Sequence, residues 1–462
     1  MRARFFALLL LLAVGLSFAW AQAPQPQPTP APQVAAQPEE PEHTITKAEA
    51  DELFRSVDEI LAFASRDTGL PIRHPVKRRM ASRAEVQRYL QSHMDEADEK
   101  HLERAAITLK KLGLVPREMN LRSFLFALLG EQVAGFYDAK TRTVNLLDWV
   151  EPEAQKPVLA HELTHALQDQ NYGLEKWADV QDKVHDDAED MARDEARGAR
   201  EAVTEGQATL VMIDYLLAPA GRKVEDSPEI VAVMKSGMTD ASSPLMSRSP
   251  LYLREALLFP YSYGMDFVLK VLLEKGRPAT FAGLMERPPA DTHQVMQAEA
   301  FLRGDAPETV AVAELSKVLG HGWERIDMGG LGELDARVMV AQWANEKAAV
   351  ALAPAFSAGY YMTFQRKGQK NGAAYIALIT RWRSTANAND FAAIYRDYLP
   401  KRYRQVNRDS AKPDTWLTED GPVQVVVQGA YVLATETFDE ATAARLREAM
   451  LSAAQNGGQK GK

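Results

Sequence analysis

The chain has 462 residues, 25% of them charged, a formal net charge of −9 and no cysteine. That length suits two or three domains, and the missing cysteine excludes both disulfides and a lipoprotein anchor. No basic patch interleaved with aromatics appears, which argues against a nucleic-acid partner, and there is no internal repeat.

At the N-terminus, Arg2 and Arg4 precede an apolar run over residues 5–19, and Ala19-Trp20-Ala21 supplies an A-x-A cleavage site. Residues 1–21 therefore read as a secretory signal, too short to span a bilayer comfortably. Cleavage would leave a slightly more acidic, soluble protein in the periplasm or outside the cell, with no second long apolar segment and no stable membrane span. Residues 22–45, rich in Pro, Gln and Ala, read as a linker. Residues 46–130 form an N-terminal helical region, with helices predicted at 48–64, 83–91, 97–112 and 121–129. Next, 133–138 and 143–148 flank a polar turn and predict a β-hairpin. Its edge is either a platform for an extended substrate backbone or plain structure.

His161-Glu162-Leu163-Thr164-His165 follows. Histidines four apart on a helix stack on one face, so both imidazoles can reach one metal ion. The glutamate after the first can take a proton from water at that ion. This is the H-E-x-x-H pattern of zinc hydrolases. The flanking residues are uncharged and mostly apolar, predicting a buried helix, and Pro157 predicts its first turn. Catalytic zinc takes three protein ligands and leaves one position open. A third histidine six residues downstream is excluded, since that position is Asn171, and Gln168 stands where that longer motif has glycine. Glu201, Glu205 and His185 are the candidates for the third ligand. Asp214, in an apolar stretch, needs a polar partner, either a ligand histidine or another helix.

The acidic run 182–195 reads as a solvated helix face or loop. Residues 228–276 are helical around a Ser/Pro-rich break at 242–250, with Pro260-Tyr261-Ser262-Tyr263-Gly264 opening a further helix. The proline-stiffened loop 287–294 is a candidate cap over a cleft. Beyond residue 350 come strands at 360–365, 373–382, 423–428 and 431–435, with helices at 390–403 and 439–454. They predict a separate α+β domain over 350–455 with no recognisable chemistry.

His161-Glu162-x-x-His165 with Glu205-Gly206-x-Ala208 resembles the gluzincin-type zincin metallopeptidases. Residues 160–170 (AHELTHALQDQ), Gly135-Phe136-Tyr137-Asp138, Thr209 after the second motif and the 288–294 loop are similar to segments of a set of uncharacterised exported bacterial metallopeptidase-like proteins. The likeness covers about 131–307, and the C-terminal region more loosely. It implies an α+β fold: a mostly helical zincin-like catalytic core at 131–345 with a small sheet or hairpin, then the C-terminal α+β domain. It implies Zn2+ on His161, His165 and Glu205, with Glu162 as general base for water attacking a protein or peptide substrate. Families written E-x-x-x-D would instead place Glu201 on the metal. The exopeptidase signature Gly-x-Met-x-Asn is absent. Tyr261, Tyr263 and His293 are candidates for the oxyanion donor. Two other readings stand beside this one. One is a non-catalytic, zinc-stabilised envelope binding or chaperone module. The other is a zinc amidase acting on peptidoglycan peptides.

Overall fold

The computed structural model describes residues 44–92, 94, 96–178, 186–239, 244–369 and 372–457. The predicted signal segment, nearly all of the predicted linker and His185 lie outside the described residues. The fold is α+β, with two sheets among long helices. Helix α1 (Lys47–Thr68) starts at a reciprocal capping box between Thr46 and Glu49 and stops at Gly69, whose φ of 75° suits glycine. Its Leu53, Val57, Ile60, Leu61 and Ala64 recur at helical spacing and pack against the helix that carries the histidines. Strand β1 (Lys77–Ala81), α2 (Arg83–Ser92), α3 (Glu96–Lys111), α4 (Leu121–Gln132), β2 (Phe136–Asp138) and β3 (Thr143–Leu147) follow.

The predicted hairpin is β2–β3, and β1 adds to it in parallel, giving the order β1-β3-β2. β1 was not predicted. Its first three residues are exposed and polar, so no alternation marks it; it becomes a strand by pairing Lys77–Ala81 with Thr143–Leu147. All of β3 is buried, and β2 is left as an edge.

Helix α5 (Pro152–Tyr172) begins one turn earlier than predicted. Pro152, not Pro157, is the first-turn proline, and Pro157 lies inside the helix. Every residue from Leu159 to Gln168 is buried, so tertiary packing rather than propensity holds this stretch. Short α6 (Leu174–Ala178) leads towards α7 (Asp187–Leu217). The Asp186 carboxylate caps α7 by accepting from the N–H groups of Ala188 and Glu189. Its acidic first turn complements the positive end of the helix dipole.

Helices α8 (Glu229–Thr239), α9 (Pro244–Ser247) and α10 (Leu251–Pro278) complete this half with several short helices. Pro260 does not open a helix; it sits within α10, where burial of Leu257, Leu258, Phe259 and Tyr261 carries the helix through it. The expectation of no second long apolar segment also needs correcting. Leu251–Glu286 is long and apolar enough to cross a bilayer by length and composition, but 72% of its apolar window is buried inside the molecule.

The second sheet has seven antiparallel strands. They are β4 (Trp323–Leu331), β5 (Phe356–Arg366), β6 (Tyr375–Trp382), β7 (Val406–Arg408), β8 (Thr415–Thr418), β9 (Gly421–Gln428) and β10 (Tyr431–Glu436). Their order is β4-β5-β6-β10-β9-β8-β7, so the first strand comes from upstream of residue 345. Alternation sorts the two faces: Ile376 and Leu378 pack with Phe391 and Tyr395 of the helix Thr385–Arg402, while Ala377 and Ile379 pack with Leu446 and Met450 of Glu440–Gly457. One apolar cluster runs from α3 and α4 through α7 and α10 to this sheet.

Candidate metal site

Two helices and a close crossing build the site. His161 and His165 lie one turn apart on the buried stretch of α5, and α7 packs against it with Glu205. The nitrogen and oxygen donors converge: His161 Nε2 and His165 Nε2 are 3.0 Å apart, and Glu205 Oε2 is 3.1 Å from the first and 3.4 Å from the second. Ligands about 2.0–2.1 Å from a tetrahedral zinc lie about 3.3 Å from one another, so this triangle has the right size. Two imidazole nitrogens at 3.0 Å cannot both present lone pairs without a proton or cation between them. The buried His161, His165 and Glu205 group can therefore hold a metal ion.

The outer nitrogen of His165 fixes its tautomer. Gln168 donates through Nε2 to the Thr204 carbonyl and to Gln207 Oε1, leaving its own Oε1 as acceptor for His165 Nδ1 at 2.8 Å. Gln207 Nε2 in turn donates to the carbonyls of Thr280 and Phe281. With Nδ1 as donor, Nε2 keeps its lone pair for the metal. Sequence reasoning missed both glutamines, and Gln168 entered it only as a missing glycine. The available signal was a glutamine inside an otherwise apolar helix face.

The crossing of α7 and α10 adds a third element. A Cβ on Gly206 would lie 2.4 Å from the Gly264 carbonyl oxygen, and one on Gly264 would lie 2.3 Å from that of Ala202. Backbone meets backbone here, which only glycine permits. The approach lays the Tyr261 ring over His161, with centroids 6.2 Å apart and planes 23° from parallel. The buried Tyr261 hydroxyl bonds to Glu205, and burial with the surrounding carboxylates pushes its pKa well up.

Glu162 is 2% exposed. Its Oε2 accepts from the Tyr137 N–H of edge strand β2 at 2.7 Å, and its Oε1 has no partner. Burial pushes its pKa up to about 8; His165 and the Tyr137 N–H pull it down, while Glu205 reinforces the rise. Burial also lowers the pKa of His161. Burial opposes charge on His165 and Glu205 alike, but their mutual attraction wins, raising the histidine and lowering the glutamate.

Glu201 lies one turn before Glu205, outside the converging donor group. Burial and the Glu205 charge raise its pKa well above the carboxylate range. Asp214 does not reach a histidine; it accepts from the Val224 N–H and pairs with Arg277, so helix-to-helix contact is its role. Tyr263 packs against Lys235 and Arg337 instead of the cluster. His293 is held by Glu333 through Nδ1 at 2.5 Å and lines a separate cavity of about 1310 Å³ with the Pro288–Asp291 loop, Arg381 and one face of α7. Neither residue is brought to the metal donors. No family model, curated protein or solved structure matches the chain.

Proposed function

We propose that this chain is an exported zinc metallopeptidase with a zincin-like core, acting in the periplasm or outside the cell on protein or peptide substrates. The supporting observation is the pairing of a His161, His165 and Glu205 donor triangle with a buried Glu162 that keeps one oxygen unclaimed. A zinc ion there would act as a Lewis acid on a carbonyl and acidify water. Glu162, anchored through Oε2 by Tyr137, would take a proton on Oε1 and pass it to the leaving nitrogen. Tyr261 is the hydroxyl best placed to serve the oxyanion, and edge strand β2 the platform for substrate backbone.

Glu162→Gln tests this reading. The variant is expected to keep its zinc and lose cleavage of casein; undiminished cleavage would refute the role of Glu162. The depth of the cluster, with each donor residue at most 5% exposed, favours one competing reading, a metal staple in a non-catalytic envelope module. That reading predicts a fourth protein ligand in the metal's X-ray absorption spectrum and no turnover of casein or of peptidoglycan sacculi.

A further inference from the structure

With the donor triangle assigned to a cation, one strongly polar group beside it is left over. Glu201 is 2% exposed, and neither carboxyl oxygen has a hydrogen-bond partner. Three other buried carboxylates are satisfied: Glu436 by Arg402, Tyr395 and Tyr403, Glu333 by His293 and Gln297, Asp214 by Arg277 and Val224. Arg197, one turn before Glu201, acts on it through space without bonding either oxygen. A bare buried carboxyl costs several kcal/mol by order of magnitude, which the fold recovers nowhere else on this side chain.

Its position supplies the rest. Glu201 precedes Glu205 by one turn of α7, and the Tyr261 hydroxyl stands in the combined field of Glu201, Glu205 and Glu162. Glu201 is therefore a buried carboxyl without a hydrogen-bond partner, one of the three, the candidate base included, that surround Tyr261. The Glu205 carboxylate is committed to the histidines, so it cannot answer Glu201. The best-matched visitor is a group that brings several N–H donors and a positive charge.

We infer that Glu201 receives a primary ammonium of the substrate and so sets the specificity of the site. The inference rests on the peptidase reading for its substrate class. Two sources share this chemistry, a peptide α-amine and a side-chain amine.

Calorimetric titration of the zinc-loaded full chain separates them. Leucinamide against N-acetyl-leucinamide reports the α-amine; N-acetyl-lysinamide against N-acetyl-norleucinamide reports the side-chain amine. The amine-bearing member of one pair is expected to bind at least about thirty-fold more tightly, the lower range for losing one partner of a desolvated charge pair. Glu201→Gln should abolish that preference while zinc stoichiometry stays at its wild-type value. Equal binding within both pairs by the wild type overturns the inference, whether or not the variant folds. So does a preference that survives Glu201→Gln, or loss of zinc from that variant, which would make Glu201 a ligand. The readout is binding, so a chain that discriminates through Glu201 but cleaves nothing would refute the peptidase reading alone.

Discussion

Gly264→Ala puts the packing argument for the site at risk. The new Cβ would stand 2.3 Å from the Ala202 carbonyl oxygen and 3.1 and 3.2 Å from two further backbone atoms of Ala202. Carbon and oxygen do not settle closer than about 3 Å, so α7 and α10 must part by at least about 0.7 Å at the crossing. No side chain can rotate away, because the opposing atoms are backbone. Overpacking of this kind costs about 3 kcal/mol at the upper end of its range, offset by about 1 kcal/mol of better helix propensity. The net expectation is a loss of about 2 kcal/mol. Tyr261 is three residues from Gly264, so the same separation lifts its ring from His161 and weakens the second coordination layer. Thermal unfolding of the metal-free protein measures the first effect, at about 2 °C per kcal/mol for a chain of this size. Competition with a zinc indicator measures the second. Gly237→Ala is the control: that exposed helical glycine has nothing within 4 Å of its added carbon, so the change should be neutral or slightly stabilising. If Gly264→Ala matches Gly237→Ala in melting temperature, the close-crossing argument is wrong.

Arg277→Met should destabilise by about 3–5 kcal/mol, because it strips the shared cation from buried Asp67 and Asp214 and from Glu225; urea unfolding within 1 kcal/mol of wild type would contradict this. In the metal-free protein, burial raises Glu162 from 4.5 to about 8, so its contribution to stability is complete below about pH 4.5 and is lost as pH rises through about 8. Urea unfolding across that window should therefore show a shallower decline in Glu162→Gln than in wild type, and parallel slopes would count against the buried setting. Chelation should lower the melting temperature and added zinc should restore it, since a ligand held only by the native state stabilises by mass action; His165→Ala should remove the response, and a response that persists there would mean the ion binds elsewhere.

The local chemistry was legible because it is carried by spacing. The spacing of four from His161 to His165 places both on one helical face in any fold that keeps the helix. The strands β5, β6, β9 and β10 were equally readable, since alternation over several apolar residues leaves little choice of conformation. The polar strand β1 was not, because its identity rests on a parallel partner more than sixty residues away. Pro157 reads as the first-turn proline, but the packed helix begins at Pro152 and carries Pro157 inside it.

Sequence by itself determined the metal-binding residue types, the helix that pairs the two histidines and a short list of acidic partners. Tertiary structure decided which of them meet. Glu201 and Glu205 share a helix face, and a one-turn difference in how α7 slides along α5 would exchange them; the hydrogen bonds from Gln168 to Thr204 and Gln207 hold α7 at its place on α5. The same docking placed Tyr261 on His161, turned Asp214 towards Arg277 and left His293 on another cavity. Side chains four residues apart are related by helical geometry, whereas side chains forty residues apart are related only by how the helices pack.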